Sequence, residues 1–350
     1  MNKYLPEKIK KLNEYIPIEE EYRVILNANE SPFAPSKKVL AEFADAVKDI
    51  KYNRYPDPYT KDMIVKFSRI YNVDANNVVA GSGSDELISI IINSYLTKGD
   101  KVMCVFPDFS MYAFYSEITE AEIIKYHKPE NYKIDFVELA QIINENKVKL
   151  VILSNPCNPT GVAYEHEIIL NFIKKINCIA VIDEAYMDFC TRDYSILNDY
   201  DKYENLIILK TLSKMGYAGL RIGFAVGDRE LINGIKKVKS PYNVNTVSQV
   251  FAAVALKNFD EMKNNIEIIV KNREALYNKL CEYANGYSVI KPDANFVSII
   301  FDDEIKANNI FETLAGKGII IRYFKPCMFR ITCGTAEEIA EFLEEFKNLL

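Results

Sequence analysis

Short apolar runs alternate with stretches of helical period through the middle of the chain, from about residue 77 to residue 241. This alternation is typical of a parallel β-sheet whose strands are joined by crossover helices. The runs predicted to be strands are residues 78–80, 101–106, 149–154, 178–182, 206–209 and 222–226. The pattern therefore predicts an α/β fold in which helices flank a mostly parallel sheet.

The pattern is different on either side of this block. A polar segment, residues 1–21, leads into a short predicted strand at residues 24–26, and a helix is predicted for residues 36–50 with Ser36 as its N-cap. Further on, helices are predicted at residues 246–257, 259–284, 304–316 and 335–350, and strands at residues 296–301, 319–323 and 329–332. We therefore predict an N-terminal arm (residues 1–30), a large domain (residues 31–243) and a small α+β domain (residues 244–350).

Charge and composition limit which binding partners and which cellular compartment we expect for the protein. A net charge of -6 and a pI near 5.3 disfavour binding to nucleic acid or to an anionic membrane. The N-terminus lacks the apolar core of a signal peptide, and no apolar run approaches the ~20 residues that span a bilayer. Seven scattered cysteines without a CxxC pair fit free thiols in a reducing cytosol. These features predict a cytoplasmic protein with no membrane or nucleic-acid partner.

The stretch from Lys210 to Phe224 contains the most reactive combination of side chains. A buried strand is predicted to end at Leu209, and the loop after it presents Thr211, Ser213, Lys214 and Arg221. Open α/β sheets bind ligands at this end of their strands. A desolvated lysine can form a Schiff base with an aldehyde, and the hydroxyls and the arginine can hold a phosphate. An aldehyde plus a phosphate describes pyridoxal phosphate, although a loop lysine by itself is more often a solvated surface charge.

Two other loops could bind further parts of such a cofactor. Residues 79–87 are predicted to form a strand that enters a glycine-rich turn and then a helix, whose first amides can bind a phosphate. Ser84 could equally be an ordinary helix cap. Phe109, in an aromatic cluster after another strand, could stack on a flat ring or belong to the core.

Two more polar groups follow predicted buried strands. The two Asn-Pro steps in residues 154–161 restrict the backbone and display Asn158, whose amide can donate to a phenolate oxygen on a ring. Asp183 follows a fully apolar strand, where a carboxylate is costly unless it is paired. A protonated pyridine nitrogen would pair with it, and Tyr186 could share the ring oxygen with Asn158. A metal is the alternative partner for Asp183, but the chain has only two histidines and none is suitably spaced, so we predict no metal site.

Two arginines border apolar strands near the C-terminus. Arg322 and Arg330 are suited to bidentate capture of a carboxylate or a phosphate, although either could belong to a structural ion pair. Residues 54–59 are predicted to be stiff and extended, because each of their two prolines restricts itself and the residue before it. A plain connection between helices would explain that segment equally well.

Together and in this order, these segments resemble the fold type I pyridoxal-phosphate-dependent aminotransferases, and most closely the histidinol-phosphate aminotransferase family. The resemblance covers nearly the whole chain. It is carried by residues 26–32, 55–58, 83–87, 158–161, 183–186, 211–214, 219–221 and 330–332, which read LNANESP, YPDP, GSDEL, NPTG, DEAY, TLSK, GLR and RIT. It implies a large cofactor-binding domain, a smaller α+β domain and a homodimer with shared active sites.

The resemblance also implies a role for each candidate residue. Lys214 is the Schiff-base lysine, and Asp183 is the partner of the pyridine nitrogen. Asn158 and Tyr186 would bind the ring oxygen, and Phe109 would stack on the ring. The phosphate would be bound by the amides of Ser84 and Asp85, by Thr211, Ser213 and Arg221, and by Tyr55 from a second subunit. Arg330, Arg322 and Tyr15 would receive the anionic group of the substrate and the carboxylates of 2-oxoglutarate.

The implied reaction is transamination between L-histidinol phosphate and 2-oxoglutarate in histidine biosynthesis. Two alternatives use the same site: an aminotransferase for aromatic or other amino acids, and a decarboxylase of a phosphorylated amino acid. A third is a pyridoxal-phosphate-binding regulator, which should carry a DNA-binding domain, and the chain has no basic patch for one. The sequence departs from the family in that Ser82 and Phe109 stand where asparagine and tyrosine are frequent, and the segments 214–221 and 322–330 are shortened.

Overall fold

The computed structural model describes residues 4–12, 14 and 21–350. Its strands are β1 (Val24–Leu26), β2 (Val78–Gly81), β3 (Lys101–Phe106), β4 (Glu122–His127), β5 (Leu150–Ser154), β6 (Ile179–Asp183), β7 (Leu206–Thr211), β8 (Gly223–Gly227), β9 (Tyr287–Ile290), β10 (Phe296–Phe301), β11 (Ile319–Phe324) and β12 (Met328–Thr332). Its helices are α1 (Glu7–Lys10), α2 (Lys37–Ala46), α3 (Lys61–Tyr71), α4 (Gly83–Tyr95), α5 (Met111–Ile118), α6 (Phe136–Asn146), α7 (His166–Ile173), α8 (Arg229–Val238), α9 (Thr246–Lys257), α10 (Phe259–Glu282), α11 (Glu304–Gly316) and α12 (Ala336–Lys347).

The larger sheet has seven strands in the order β2-β8-β7-β6-β5-β3-β4. Neighbouring strands from β7 to β4 are parallel, whereas β8 is antiparallel to both β7 and β2. The central strands β5 and β7 are buried along their whole length, as expected when helices cover both faces of a sheet. The predicted α/β fold with a mostly parallel sheet is therefore confirmed.

Each face of this sheet has its own apolar core, because successive side chains of a strand point to opposite faces. On β7, Ile207 and Leu209 pack in a cluster that includes residues of α4 and α8, whereas Ile208 belongs to a second cluster on the other face. The second cluster continues into the smaller sheet, where it includes Phe296 and Phe329. Continuous packing therefore sets the position of the smaller sheet against the larger one.

The smaller sheet has five strands in the order β1-β11-β12-β10-β9. β1 is parallel to β11, with Val24 opposite Ile319 and Leu26 opposite Ile321, and the other pairs are antiparallel. A strand from the predicted N-terminal arm is thus the edge strand of a sheet built from C-terminal residues. The division at residues 30/31 and 243/244 stays a prediction.

Several strand bounds differ by one residue from the prediction, and three strands differ more. β4 and β9 were not predicted, and β4 is a polar edge strand that pairs only with β3, so its sequence lacks a buried pattern. β7 continues past Leu209 to Thr211, because Lys210 and Thr211 pair with β8. These two residues therefore belong to the strand and not to the loop that follows it.

The helix that was predicted for residues 36–50 is shorter in the structure. α2 ends at Ala46 and is followed by a separate helical turn, Val47–Asp49. The predicted N-cap is confirmed, since the side chain of Ser36 accepts a hydrogen bond from the Val39 amide at 3.2 Å. This bond satisfies one of the donors that a helix start leaves unpaired.

Gly223 lets β8 pass close to the start of α4. A Cβ on Gly223 would lie 2.3 Å from the backbone nitrogen of Ser84 and 2.5 Å from the carbonyl carbon of Gly83. We expect Gly223→Ala to lower the free energy of unfolding by about 3 kcal/mol, because the backbone of α4 would have to move. Urea denaturation of the cofactor-free protein measures this loss. Gly219→Ala is the control, since a Cβ there meets nothing within 4 Å, and equal stability of the two variants would contradict the prediction.

Candidate active site

The carboxyl ends of the central strands enclose a cavity of about 120 Å³ beside the start of α4. Open α/β sheets bind ligands at this edge. The cavity is lined by Ser84, Asp85, Phe109, Tyr112, Ser154, Asn158, Asp183, Ala185, Tyr186, Thr211, Ser213, Lys214 and Arg221. The structure therefore brings together every predicted cofactor-binding residue except Tyr55.

One part of the cavity concentrates positive charge and hydrogen-bond donors. α4 begins at Gly83, so the amides of Ser84 and Asp85 lie in its first turn, where a helix has no internal acceptors for them. The guanidinium of Arg221 covers this helix start, since a Cβ on Gly83 would lie 2.6 Å from Arg221 Nη2. Arg221 Nη1 also donates to Ser213 Oγ at 3.4 Å. Such a cluster is suited to a phosphate.

The end of β7 positions the serine of this cluster. The Ser213 amide donates to Thr211 Oγ1 at 3.1 Å, and Thr211 Oγ1 donates to the carbonyl of Ile222 at 3.0 Å. Asp85 is an acid close to the same cluster. Burial raises the pKa of Asp85, and its Oδ1 has no hydrogen-bond partner among the residues described. The hydrogen bond from Tyr115 OH to Asp85 Oδ2, at 3.2 Å, and the charge of Arg221 act on this pKa in the opposite direction.

Asp183, the last residue of β6, is only 4% exposed. Burial raises the pKa of its carboxyl group to about 6, and the nearby Asp108 contributes to this increase. Hydrogen bonds from Tyr112 OH, at 2.8 Å, and from the Ala185 amide, at 3.1 Å, act in the opposite direction. A buried carboxylate in this state would be stabilised by a cationic partner.

The predicted ring-binding residues are held by packing and by hydrogen bonds. Phe109 packs edge-to-face against Tyr112, with ring centroids 5.5 Å apart and planes at 84°. Tyr186 packs in the same way against Phe296, with centroids 5.3 Å apart. The backbone N–H of Asn158 donates to Ser154 Oγ at 3.1 Å, and this bond anchors the Asn158 loop to the end of β5. The three side chains are thus held in place at one wall of the cavity.

Lys214 lies in a helical turn, Ser213–Tyr217, just beyond β7. Its Nζ donates to the carbonyl of Ala28 at 3.1 Å and lies 5.9 Å from the centroid of the Tyr186 ring. Gly216 has a φ of 102°, a conformation that glycine adopts without strain. The sharp turn that glycine permits leaves the lysine amine inside the cavity, beside a tyrosine and a backbone acceptor.

Arg330 and Arg322 are brought together on the smaller sheet. They lie directly opposite each other in the β11–β12 pair, and their guanidinium carbons are 5.4 and 5.6 Å from the centroid of the Phe324 ring. Arg330 Nη1 donates to Asn158 Oδ1 at 2.5 Å, so Arg330 contacts the cavity directly. The short segment between the two arginines is the turn of this hairpin.

Two predicted residues remain, Tyr55 and Tyr15. Tyr55 is 81% exposed and stacks on Tyr242 with ring centroids 4.5 Å apart, so it does not contribute to the cavity of its own chain. Tyr15 lies outside the described residues. The role of each stays a prediction.

The segment Asn27 to Asn29 supplies contacts that sequence reasoning missed. The carbonyl of Asn27 accepts from Arg330 Nη2 at 2.6 Å, and Asn29 Nδ2 donates to Tyr186 OH at 3.0 Å. The Ala28 carbonyl, which accepts from Lys214, lies between them. The motif LNANESP marked this segment as part of the resemblance, but a sequence does not show which residues its carbonyls will face. Tyr112, the donor to Asp183, was also missed, because an aromatic on a helix reads as core.

The cavity fits pyridoxal phosphate by the chemistry of its lining residues. The helix start with Arg221 and Ser213 suits a phosphate, and the buried Asp183 suits a protonated pyridine nitrogen. Lys214 provides an amine for an aldehyde in the same cavity.

In the part of the chain that the structure describes, no three His, Cys, Asp or Glu side chains are grouped to hold a metal ion. Within those same residues, no helix has the length and apolar character needed to cross a membrane.

Comparison with known proteins gives consistent matches along the chain. The family model for aminotransferase class I and II matches residues 23–346. The histidinol-phosphate aminotransferase of Clostridium novyi (strain NT) is 37% identical over 345 residues, which cover 97% of this chain and 95% of that protein. The enzyme of the same name from Caldanaerobacter subterraneus subsp. tengcongensis is 37% identical over 352 residues and covers 99% and 98% of the two chains.

A solved structure agrees with these sequence matches. Histidinol-phosphate aminotransferase from Sinorhizobium meliloti, in complex with pyridoxal-5'-phosphate, superimposes with a TM-score of 0.90 at 21% identity, covering 99% of this chain and 97% of that one. At this identity the similarity shows a common fold. The predicted fold type, the enzyme class of transferase and the cofactor pyridoxal phosphate are confirmed. The chain belongs to the class I and II aminotransferases and, by its full-length relatives, to the histidinol-phosphate aminotransferase family.

Proposed function

We propose that the protein transfers an amino group from L-histidinol phosphate to 2-oxoglutarate, yielding glutamate and an imidazole acetol phosphate, as a step of histidine biosynthesis. The observation that carries this proposal is the convergence of Lys214, Asp183 and the helix start under Arg221 in one cavity. Full-length similarity to enzymes named for this substrate supports the choice of amino donor.

The residues at the helix start would hold the cofactor phosphate, and Asp183 would hold the ring nitrogen. When bound, pyridoxal phosphate withdraws electrons from the substrate α-carbon, which makes its proton removable. The Asp183 carboxylate would support this withdrawal by favouring a protonated ring nitrogen. Asn158 and Tyr186 would orient the ring through its oxygen, and Phe109 would restrict the ring to one plane.

Lys214 is the proposed acid–base group. Its Nζ would accept the proton from the α-carbon of the donor and hold it until the proton is returned. The carbonyl of Ala28 accepts from this amine at 3.1 Å, so the N-terminal segment defines the direction in which the nitrogen points. The location of the turn directly after β7 limits how far the amine can move.

Arg330 and Arg322 are the proposed receptors for the anionic groups of both substrates. Two cations on facing positions of a hairpin can bind a phosphate in the first half-reaction and a carboxylate in the second. Arg330 is already oriented by Asn158 and by the carbonyl of Asn27. We place Tyr15 in the same subsite, as the family resemblance implies.

A homodimer in the cytoplasm is the proposed working form. Tyr55 is an exposed ring that stacks on Tyr242 of its own chain. In a dimer, Tyr55 could contact the phosphate site of the second subunit. Seven free cysteines support a reducing compartment. The arrangement would make each active site depend on both chains.

The choice of amino donor is tested by comparing substrates with 2-oxoglutarate as the acceptor. We expect kcat/KM for L-histidinol phosphate to exceed that for phenylalanine by roughly 100-fold or more, because a phosphate offers the two arginines more negative charge and more acceptor oxygens than the single carboxylate of phenylalanine. Release of carbon dioxide from phosphothreonine would instead favour the decarboxylase alternative. Arg322→Ala should lose most of the preference for the phosphate, whereas the exposed Arg69→Ala should keep it. A protein that prefers phenylalanine contradicts the proposed donor.

Removing the amine of Lys214 should separate cofactor binding from turnover. We expect Lys214→Ala to retain pyridoxal phosphate through the phosphate contacts but to lose about 10⁴-fold in kcat, since the proton transfer loses its base. Absorbance of the bound cofactor and steady-state rates measure the two effects. Lys271→Ala, on the exposed face of α10, is the matched control and should behave as wild type. Near-normal transamination by Lys214→Ala would refute the assignment.

The buried Asp183 predicts how stability depends on pH. Its pKa is raised from an ordinary value of 3.8 to about 6, so the folded protein binds the proton more tightly than the unfolded chain. The stability of the cofactor-free wild type relative to Asp183→Asn should therefore fall as pH rises from about 4 through about 6, by on the order of 3 kcal/mol.

Chemical denaturation of both proteins across this pH range measures the difference. Added pyridoxal phosphate should reduce the loss of folding stability of the wild type above pH 6, because the Asp183 carboxylate then has a cationic partner. A stability difference that is independent of pH would show that Asp183 ionises normally.

A further inference from the structure

Lys128 and Cys157 form a buried contact that the proposed reaction does not use. Lys128 directly follows β4, and its Nζ lies 2.8 Å from Cys157 Sγ and 2.9 Å from the carbonyl of Pro107. Cys157 is completely buried and Lys128 is 9% exposed. Neither residue lines the cofactor cavity.

This environment is unusual for a lysine, which is rarely buried unless it is paired with an acid. The two hydrogen-bond acceptors of Lys128 are a sulfur and a backbone carbonyl, and neither is a carboxylate. Burial by itself would lower the pKa of Lys128, but attraction to Cys157 and Asp108 raises it above its ordinary value. The amine and the sulfur are therefore a coupled pair and not two separate core residues.

The sulfur also lies in electropositive surroundings, where reactive thiols are typically found. The lysine nitrogen is in direct contact with it, at 2.8 Å. The contact is also fixed, because two backbone hydrogen bonds close the loop that carries Cys157. The Cys157 amide donates to the carbonyl of Val162 at 2.8 Å, and the Gly161 amide donates to the carbonyl of Cys157 at 2.7 Å.

We propose that Lys128 and Cys157 are an oxidation site at which dioxygen joins the lysine nitrogen to the cysteine sulfur through one bridging oxygen atom. A bridge of this kind leaves nitrogen and sulfur about as far apart as they already are, so little rearrangement is needed. A direct nitrogen–sulfur bond would require the two atoms to move closer together.

The step balances with dioxygen as the only oxidant. The pair carries three hydrogens on nitrogen and sulfur, whether it is counted as amine and thiol or as ammonium and thiolate. One oxygen atom forms bonds to nitrogen and to sulfur, and the other leaves as water with two of these hydrogens, while the third stays on nitrogen. Nitrogen and sulfur lose two electrons each, and these four electrons reduce the two oxygen atoms.

The position of the bridge links it to the active site. It would connect the end of β4 to the loop after β5, which are 29 residues apart in the chain and carry no other covalent link. Asn158, a proposed ring-binding residue, is the next residue after Cys157. Pro107, whose carbonyl also binds Lys128, lies two residues before Phe109. Oxidation would thus modify the support of two cofactor contacts without removing either side chain.

Mass spectrometry of the full-length, cofactor-loaded protein tests the bridge. One sample is kept without oxygen in the presence of a phosphine reductant, and the other is exposed to dioxygen-saturated buffer. After digestion, we expect the oxidised sample to contain a linked pair of peptides with Lys128 and Cys157, one oxygen heavier and two hydrogens lighter than their sum. Under denaturing conditions the number of titratable thiols should fall below seven, by up to one, and the reductant should restore it.

Variants make the test specific. Cys157→Ala and Lys128→Gln should each abolish the linked peptide, whereas Cys178→Ala, which removes another buried cysteine, should leave it unchanged. The wild-type mass itself decides the outcome if a variant fails to fold. The absence of a linked peptide, a linked pair without the extra oxygen, or a link that persists in Lys128→Gln would each overturn the proposal. None of these results depends on which amino donor the enzyme uses.

Discussion

Burial of the Asp183 carboxyl group is the constraint on which the rest of the site depends. The group ends a strand that lies between two other buried strands, so water cannot solvate it. Its bonds from Tyr112 and Ala185 orient the oxygens but do not supply a positive charge. In the proposed function a cationic ring nitrogen would supply that charge, so that binding of pyridoxal phosphate would also relieve the buried negative charge. The large sheet would then determine where the cofactor binds.

The second requirement is that the two sheets keep a constant relative position. The proposed substrate arginines are on the smaller sheet, whereas Lys214, Asp183 and Asn158 follow strands of the larger one. A continuous apolar core crosses between the sheets, and the bond from Arg330 to Asn158 crosses at the site itself. The N-terminal segment adds a third connection, because β1 joins the smaller sheet and the residues just after it contact Lys214 and Tyr186. The side chains proposed for substrate recognition and for proton transfer are thus linked by packing.

Prediction from sequence was most successful where burial produces a clear pattern. The bounds predicted for β3, β10, α9 and α11 agree with the structure, because these elements have apolar faces of the right period. β4 was missed because an edge strand with one partner needs no buried pattern, and the end of β7 was misjudged because its last residues are stabilised by pairing with β8. Most of the residues that line the cavity could be predicted because the carboxyl ends of parallel strands meet at one edge. Asn29 and Tyr112 could not, since their partners are distant in the chain.

The sequence by itself determined the class of fold, the family and the types of side chain that line the cavity. It did so because periodic apolar positions specify the elements, and reactive residues after successive strands must share one edge of the sheet. Only the tertiary structure decided that Arg322 lies opposite Arg330, that the carbonyl of Ala28 faces Lys214, and that Lys128 contacts Cys157. The first contact depends on the register of a hairpin, and the other two join segments that are far apart in the chain. No local pattern encodes them, because they depend on how strands pair and how loops pack together.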